Sequence, residues 1–349
     1  MLIQFIVQKI TYGFLVLVGV VVIVFFLFQG FGDPARLVLG QSGDKKTIEN
    51  IRKELALDKP KWQQFFLYLN DVSPISIHTI ESIEKKQLKG FFLGGEKWKL
   101  GIKIPYLRRS YQTKKEVNSV LFEALPGTII LALAAMFIAT VLGILLGVLA
   151  AVKQHTWWDF SSVFASVLGI SAPSFFMGIV LAYCFGFVLN EYTGLQMIGS
   201  LYEVDAFNGK QLQLKNLILP AITLGIRPLA IITQLTRSAM LDVLDQDYIR
   251  TAYAKGLSKK VVIFKHALRN ALNPVITAVT GWFAELLAGA FFVEYIFGWK
   301  GIGKVTVDAL EKLDFPVVMG SVLLTATFFI LVNLLADVLY KVIDPRITY

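Results

Sequence analysis

The side chains that could carry out catalysis or bind a metal are few and lie far apart in this sequence. The three histidines, His78, His155 and His266, have no spacing that would bring them to one metal ion. The single cysteine, Cys184, lies in an apolar run, where a cysteine is usually a small buried hydrophobic residue. The apolar runs hold no Ser/His/Asp set, no paired catalytic carboxylates and no H-E-x-x-H pattern. We therefore expect neither a metal site nor enzymatic activity.

One segment has the spacing of a phosphate-binding loop. Gly298 to Lys304 reads G-x-x-x-x-G-K, but Val305 follows where that motif needs Ser or Thr to bind magnesium. The segment also follows an apolar run and not a β-strand. We therefore expect that it does not bind a nucleotide.

The composition excludes a soluble globular protein. Hydrophobic residues make up 55% of the 349 residues and charged residues 17%, and the apolar residues are gathered into long runs. A bilayer core is about 30 Å thick and is crossed by roughly 20 helical residues. Six runs are candidate spans, and the third is long enough to tilt or break near Pro173: 10–28, 124–152, 160–190, 217–234, 271–293 and 315–336. We predict an all-α integral membrane protein with about six transmembrane helices.

The distribution of basic residues predicts that both termini are cytoplasmic. With that orientation the inner segments hold eleven Lys and Arg residues, and the two short outer loops hold five. The loop between the first two spans holds 17 more, but loops longer than about 60 residues cross the membrane regardless of charge. The net charge of +9 thus needs no nucleic-acid partner. The first apolar run is longer than the usual 7–15 residues of a signal peptide and is interpreted as an uncleaved span.

The sequence predicts four regions. Residues 1–28 form the N-terminus and first span, 29–123 an outer loop, 124–341 a five-helix core, and 342–349 a cytoplasmic tail. Within the outer loop we expect a helix over 45–57, capped by Asp44, and a short helix over 62–69 that Pro60 begins. Residues 71–99 mix Ser, Pro, Gly and Lys with isolated aromatics and are interpreted as a surface excursion or small accessory element.

The most informative segment lies between spans four and five. A helix from about Asp247 to Lys255 is expected to end at Gly256 in the left-handed conformation. Ser258 can then cap a second helix that runs toward Leu272. Two short helices that meet at a glycine form a compact cytoplasmic projection. The alternative is an ordinary basic loop that lies on anionic lipid headgroups.

The same segment resembles the EAA loop of bacterial ABC importer permeases. It reads D-Y-I-R-T-A-Y-A-K-G-L from Asp247 and H-A-L-R-N-A-L-N-P from His266, which is similar to the B-type permeases of the dipeptide/oligopeptide/nickel importers. The resemblance extends to other segments: Gly32 to Ala35, Leu57 to Pro60, Gly169 to Ser174, Gly298 to Gly303, Asn333 to Asp337 and Asp344 to Arg346. Two departures are Tyr253, where the branch usually has Arg, and residues 71–99, an insertion relative to shorter relatives.

The resemblance implies a transport mechanism in which the loop at 238–272 holds a coupling helix for a cytoplasmic ATPase. Ala252, Ala254, Gly256 and Leu257 would form the centre of that contact. The wider set implied for coupling also includes Arg250, Thr251, Lys255, His266, Arg269, Asn270 and Pro274. The expected partners are a second homologous permease, two ATPase subunits, an extracytoplasmic binding protein and membrane lipid, in a bacterial cytoplasmic membrane. The ATPases would bind ATP and magnesium, and this chain would bind no cofactor.

Ionisable residues inside spans are expected to be functional, because a charge in lipid is costly. Glu285 lies in the middle of the fifth span, where it could attract the amino terminus of a peptide or pair with Arg227. A purely structural pair between packed spans is the alternative. We predict that Glu285, Arg227, Ser171 and Pro173 line the translocation path. Asp337, at the inner end of span six, is expected to be structural.

The sequence leaves other functions open. A permease of this family could carry nickel or another small solute in place of dipeptides or oligopeptides, because specificity in this group lies largely in the external binding protein. A channel or secondary transporter would need no ATPase, and its uptake would not depend on cellular ATP. A membrane-embedded enzyme is the most remote alternative.

Overall fold

A computed structural model of the chain describes residues 2–29, 52, 57–95, 97–205 and 209–343. The helix expected over 45–57 lies outside the described residues except for Arg52 and Leu57. Helices dominate the described chain, and their bounds in chain order are α1 Leu2–Gln29, α2 Lys61–Val72, α3 Ile80–Lys86, α4 Val117–Val152, α5 Trp157–Ser171, α6 Ser174–Tyr183, α7 Asn190–Thr193, α8 Ile218–Leu244, α9 Asp247–Ala254, α10 Lys259–Val261, α11 Leu268–Gly289, α12 Phe291–Ile296, α13 Ile302–Glu311 and α14 Phe315–Ile343.

Strands and irregular helical turns complete the fold. The strands are β1 Ile75–Thr79, β2 Gly90–Gly94, β3 Trp98–Lys103, β4 Tyr202–Asp205 and β5 Gly209–Leu212. Strands β1, β3 and β2 form an antiparallel sheet in that order, and β4 pairs with β5. A 3₁₀ turn and two π-helical turns also occur, at Leu214–Leu217, Cys184–Val188 and Val262–Ala267. The mostly helical class is confirmed, but the strands were not predicted.

Four described helices are long and apolar enough to cross a membrane: Ile6–Phe28, Val117–Val152, Leu214–Leu244 and Phe315–Val338. A fifth candidate is the pair Trp157–Ser171 and Ser174–Val188, which is bent by 109°. The break expected near Pro173 is therefore confirmed. Helix α11, which covers most of the predicted fifth span, is not in this group of helices. The count of six spans and the cytoplasmic placement of both termini remain predictions.

The bend between α5 and α6 has a local cause. Ala172 and Pro173 have ψ values of 129° and 134°, which are extended and not helical. Proline disfavours a helical conformation in the residue before it and has no N–H for the helical ladder, so the chain leaves the helix there.

Helices α4 and α8 pack closely through two glycines that are spaced four residues apart. A Cβ atom at Gly143 would lie 2.8 Å from a side-chain carbon of Ile232. A Cβ at Gly147 would lie 2.5 Å from Cβ of Thr236 and 2.7 Å from the backbone oxygen of Thr233. The Gly-x-x-x-Gly pattern thus lets two helix backbones approach each other as they do in many membrane helix pairs.

The chain divides into two compact units. The first comprises residues 1–9, 124–304 and 327–349, and the second comprises residues 10–123 and 305–326. In the second unit Tyr68 of α2 packs on Phe25 of α1, with ring centroids 5.6 Å apart. Helix α2 covers Lys61–Val72 and follows Pro60, which confirms the short helix expected over 62–69. Residues 71–99 form a small accessory domain in which α3 and the three-stranded sheet follow α2.

A buried polar cluster lies against one face of the three-stranded sheet. Asp71 accepts hydrogen bonds from Lys86 and from Arg108, the latter at 3.4 Å. Lys103 donates to the backbone oxygen of Asp71 and, at 3.1 Å, to that of Ser73. His78 is only 4% exposed, and burial together with Lys103 and Lys86 lowers its pKa to about 4. The histidine is therefore held neutral inside the fold.

This lowered pKa predicts a loss of stability in mild acid. In the unfolded chain the His78 side chain takes up a proton near its ordinary pKa of about 6.5. In the folded chain the same side chain has a pKa of about 4, so it stays neutral until the pH falls that far. Stability should therefore fall as the pH drops from 6.5 to 4, with a slope of up to about 1.4 kcal/mol per pH unit. Thermal unfolding of a His78→Gln variant should show a weaker pH dependence in that range.

The matched control is His155→Asn. His155 is exposed and has a φ of 62°, a conformation that asparagine tolerates. This control should keep the fall in stability between pH 6.5 and 4, because it leaves His78 in place. Equal pH profiles for the wild type and His78→Gln would show that His78 is not the titrating group.

Candidate coupling surface and translocation path

Helix α9 ends as the sequence predicts. Gly256 has a φ of +77°, in the left-handed region. The N–H of Leu257 donates to the oxygen of Ala252 at 3.3 Å, and the N–H of Gly256 donates to the oxygen of Tyr253 at 2.9 Å. These two bonds form a Schellman motif with Gly256 at its left-handed position. A Cβ at Gly256 would meet nothing within 4 Å, so the requirement for glycine is conformational and not steric.

One face of α9 is buried against other helices of the same unit. Ile249 and Ala252 are 1% and 7% exposed and belong to a single apolar cluster with Met240 of α8 and Ala271 of α11. The remaining members of this cluster, which we call the loop core, are Val148, Ala151, Val262, Ile263 and Ala267. The loop core therefore fixes α9 to the ends of α4, α8 and α11.

The opposite face of α9 is open and basic. The residues implied in coupling that are exposed there are Arg250, Thr251, Ala254, Lys255, Gly256 and Leu257. Asp247 lies 3.5 Å from Arg250 in an exposed ion pair. Ala252 differs from the other implied residues, because it is buried in the loop core and packs against its own chain.

The second arm of the loop is a helix with an irregular turn. After Ser258, α10 passes into the π-helical turn Val262–Ala267 and continues as α11. The second helix was expected to run toward Leu272, but it extends to Gly289. Asn270 donates to the hydroxyl of Tyr248 at 2.7 Å and so joins the two arms. Of the residues implied on this arm, Arg269, Asn270 and Pro274 are exposed and His266 is half-buried.

An ion pair that sequence reasoning missed lies close to the loop core. Arg237 of α8 donates through Nε and Nη2 to the two carboxylate oxygens of Asp159 at the start of α5, with the second bond at 2.8 Å. The N–H of His155 donates to the same carboxylate at 3.1 Å. Met240 of the loop core is three residues beyond Arg237. The two residues are 78 positions apart, and no local pattern marks them as partners.

Three of the residues predicted for the translocation path, Ser171, Pro173 and Arg227, lie near one stretch of α8. A Cβ at Gly169 of α5 would contact Ile226 and Ala230, and one at Gly178 of α6 would contact Thr223. The α5–α6 bend, with the exposed Ser171 and Pro173, therefore lies alongside the stretch of α8 that carries Arg227.

Arg227 and Glu285 do not form the ion pair that was considered. The guanidinium carbon of Arg227 lies 5.7 Å from the ring centroid of Trp282 on α11, within the range of a cation–π contact. Within the described part of the chain, no ion pair joins Arg227 to Glu285, and both side chains are exposed. Glu285 is three residues, or about one turn, beyond Trp282.

Glu285 is the last member of an exposed polar stripe on α11. Asn273, Thr277, Gly281 and Glu285 follow at intervals of four residues and are all exposed. Residues four apart lie on one face of a helix. A polar face that contains a carboxylate is costly in lipid, so it must face water, a polar path or another subunit.

The segment with phosphate-loop spacing has an internal partner. The N–H groups of Gly303 and Lys304 donate to Glu294 Oε2 at 2.7 and 3.2 Å, and Thr128 donates to Glu294 Oε1 at 2.7 Å. A Cβ at Gly301 would lie 2.3 Å from the same carboxylate. These N–H groups, at the start of α13, thus bind a buried carboxylate of the chain as such groups elsewhere bind phosphate.

The Asp159–Arg237 pair predicts a specific loss of stability. Asp159→Asn should lower the free energy of unfolding by about 1.5–3 kcal/mol, because the charged acceptor of Arg237 is lost. Thermal unfolding in detergent would measure this loss against Asp245→Asn, which changes an exposed carboxylate near the end of α8. Equal midpoints for the two variants would contradict a stabilising role for the pair.

Comparisons with known proteins place these features in a family. Residues 143–349 match the family described as "Binding-protein-dependent transport system inner membrane component", and residues 1–132 match the N-terminal family of the same systems. The chain is 35% identical to a dipeptide transport system permease protein, DppB, of Alkalihalophilus pseudofirmus, with 96% of each chain covered. It is 36% identical to DppB of Escherichia coli strain K12 over 100% of this chain and 99% of the relative. It is also 34% identical to a glutathione transport system permease protein, GsiC, of Escherichia coli, with 95% and 94% covered.

A solved structure shares the fold. The inward-facing MetNI methionine ABC transporter matches with a TM-score of 0.50 and 17% identity, over 65% of this chain and 97% of that chain. The matched families together cover nearly the whole chain, and the candidate spans are those of a multi-pass protein. The chain therefore belongs to the family of binding-protein-dependent transport system inner membrane components and is a multi-pass membrane transport subunit.

Proposed function

We propose that the chain is the permease subunit of an ATP-driven importer of dipeptides or oligopeptides and forms half of the translocation path. The observation that carries this proposal is the loop around α9, which is capped at Gly256, fixed to three long helices by the loop core and exposed on its basic face. A cytoplasmic partner that displaces a loop built in this way would also displace the membrane helices to which the loop is fixed. The dipeptide permeases to which the chain is similar support the substrate class.

The remaining partners follow from this role. A second, homologous permease would supply the other half of the path, two ATPase subunits would bind ATP and magnesium, and an extracytoplasmic binding protein would deliver the peptide. Both termini and α9 would then lie on the cytoplasmic side. The basic residues around α9 suit an ATPase groove with acidic or polar walls. ATP binding would close the ATPase pair and switch the permeases between two rigid arrangements.

The polar stripe of α11 is assigned to the path. Glu285 is exposed in the last turn of α11, at the end of this stripe, and the guanidinium of Arg227 lies on Trp282, one turn before it. A carboxylate there attracts the protonated amino terminus of a peptide. The α5–α6 bend with Ser171 and Pro173 lies at the same level of α8 and would form another part of the wall.

The whole proposal can be tested by peptide uptake into vesicles. The chain would be purified from its native cells in mild detergent with its stoichiometric partners, which mass spectrometry identifies, and reconstituted. Uptake of labelled dipeptides that requires ATP would support the proposal. Uptake that continues without ATP would favour a channel or secondary transporter, and uptake of nickel but not of peptides would reassign the substrate.

Substitution of Gly256 should uncouple the transporter. Gly256→Leu forces a residue with a Cβ into the left-handed region, which costs about 1–2 kcal/mol and displaces the loop at Leu257. ATP-dependent uptake should fall at least about tenfold while the amount of inserted protein is unchanged. Gly256→Asn is the matched control, because asparagine tolerates this conformation, and it should retain most of the activity. Full uptake by the leucine variant would place the coupling contact elsewhere.

Substitution of Glu285 should affect peptides according to their amino termini. Glu285→Gln should raise the KM for peptides with a free amino group about tenfold, because a charged hydrogen bond contributes roughly 1.5–3 kcal/mol. Acetylated peptides should be transported as before. Glu191→Gln changes an exposed carboxylate of α7 and serves as the control. An equal loss for free and acetylated peptides would show that Glu285 is structural.

A further inference from the structure

The three-stranded sheet of the accessory domain turns its apolar face outward. Ile75, Ile102 and Phe91 lie side by side across the three strands, and Ile77, Leu100 and Leu93 form the next row. These six side chains and Trp98 of β3 are between 53% and 68% exposed. We call this surface the apolar sheet face.

The other face of the same sheet is the polar one, and it is buried. Ser76, His78 and Lys103 are 3–4% exposed and lie over the cluster around Asp71. Side chains in strands alternate between faces, so a shift of one residue in pairing would exchange the two faces. The continuous register therefore holds these seven apolar residues outward, and Phe92 of β2 is the large apolar residue on the opposite face. In a water-soluble domain the opposite arrangement is the rule.

The sheet is fixed to the end of the first candidate span. The amide of Asn70 in α2 donates to the oxygen of Ile77 at 2.8 Å and accepts from its N–H at 3.0 Å. Helix α2 in turn packs through Tyr68 on Phe25, which is three residues from the end of the apolar segment Ile6–Phe28. The sheet follows α2 after only two residues. The apolar sheet face is therefore held within a short distance of the bilayer surface.

Two properties of the surrounding surface match a lipid headgroup layer. Trp62 and Phe66 of α2 are 60% and 57% exposed, and Phe26 at the end of α1 is 51% exposed. Aromatic residues with this placement form the belts at membrane interfaces. Apart from the buried Lys103 and from Lys86 and Arg108, which pair with Asp71, the segment from residue 72 to 115 carries seven Lys and Arg residues against three Glu residues, and this excess attracts anionic lipids.

We propose that the apolar sheet face rests on the bilayer surface, with its apolar side chains among the lipid headgroups and upper acyl chains. The accessory domain is then a platform that rests on the membrane. No further protein is needed to bring the sheet to the bilayer, because the sheet and most of the first candidate span belong to one unit. This inference rests on the membrane character of the chain and not on the proposed peptide substrate.

The test compares two neighbouring residues of β3 that point to opposite faces. Leu100→Cys and Lys99→Cys are made in a Cys184→Ser background, which removes the only cysteine, and each is labelled with an environment-sensitive fluorophore. The full-length chain, in its native complex, is reconstituted into vesicles that contain a lipid with a quencher in the upper acyl chain. The label at Leu100 should be quenched several-fold more than the label at Lys99. Phosphatidylglycerol added to phosphatidylcholine vesicles should increase this difference.

Three results would overturn the proposal. The two labels could be quenched equally, or neither could be quenched. Alternatively, the label at Leu100 could be shielded from water in the complex but untouched by the lipid quencher, which would show that a protein subunit covers the face. Retained ATP-dependent uptake by both labelled variants establishes that each has folded. Failure of peptide transport in all variants, including the Cys184→Ser background, would bear on the proposed function and not on the lipid contact.

Discussion

The burial of one face of α9 is the interaction on which a coupling role depends. A helix of eight residues is too short to be stable alone in water. Ile249 and Ala252 give it a fixed position, because they fill the loop core between Met240 and Ala271. The Asp159–Arg237 pair then joins α5 to α8 just before the loop core. In the proposed coupling role, a displacement of α9 would reach α4, α5, α8 and α11 together.

Buried carboxylates perform a second structural task in this chain. Glu294 binds the N–H groups that begin α13, and Asp314 accepts hydrogen bonds from Tyr111 and from the hydroxyl of Ser110. Each carboxylate satisfies backbone groups that would otherwise be buried without partners. The glycine spacing of residues 298–304 resembles that of a nucleotide-binding loop because glycines of this segment lie around the Glu294 carboxylate.

Asp337, which was expected to be structural, forms an ion pair with Lys9 at 2.7 Å.

Local chemistry determined which features could be predicted from the sequence. Gly256, Pro173 and Pro60 act on their own backbone neighbourhood, and the cap, the bend and α2 were predicted from them. The Asp159–Arg237 pair depends on tertiary packing between distant residues, so no spacing revealed it. The alternation of Ile75, Ser76, Ile77 and His78 did signal a strand, but the helical character of the rest of the chain obscured it. Gly143 and Gly147 likewise carried a readable helix-packing signal that was missed.

The central claim is that the exposed face of α9 touches the ATPase while its buried face holds the membrane helices. Site-specific crosslinking tests it most directly. Single cysteines would be placed at Leu257, on the exposed side, and at Ala252, in the loop core, in a Cys184→Ser transporter that retains uptake. The account predicts that a short thiol crosslinker joins Leu257→Cys to an ATPase subunit, with a yield that changes when ATP binds, and leaves Ala252→Cys unlinked. An active transporter in which Leu257→Cys is never linked to an ATPase would contradict it.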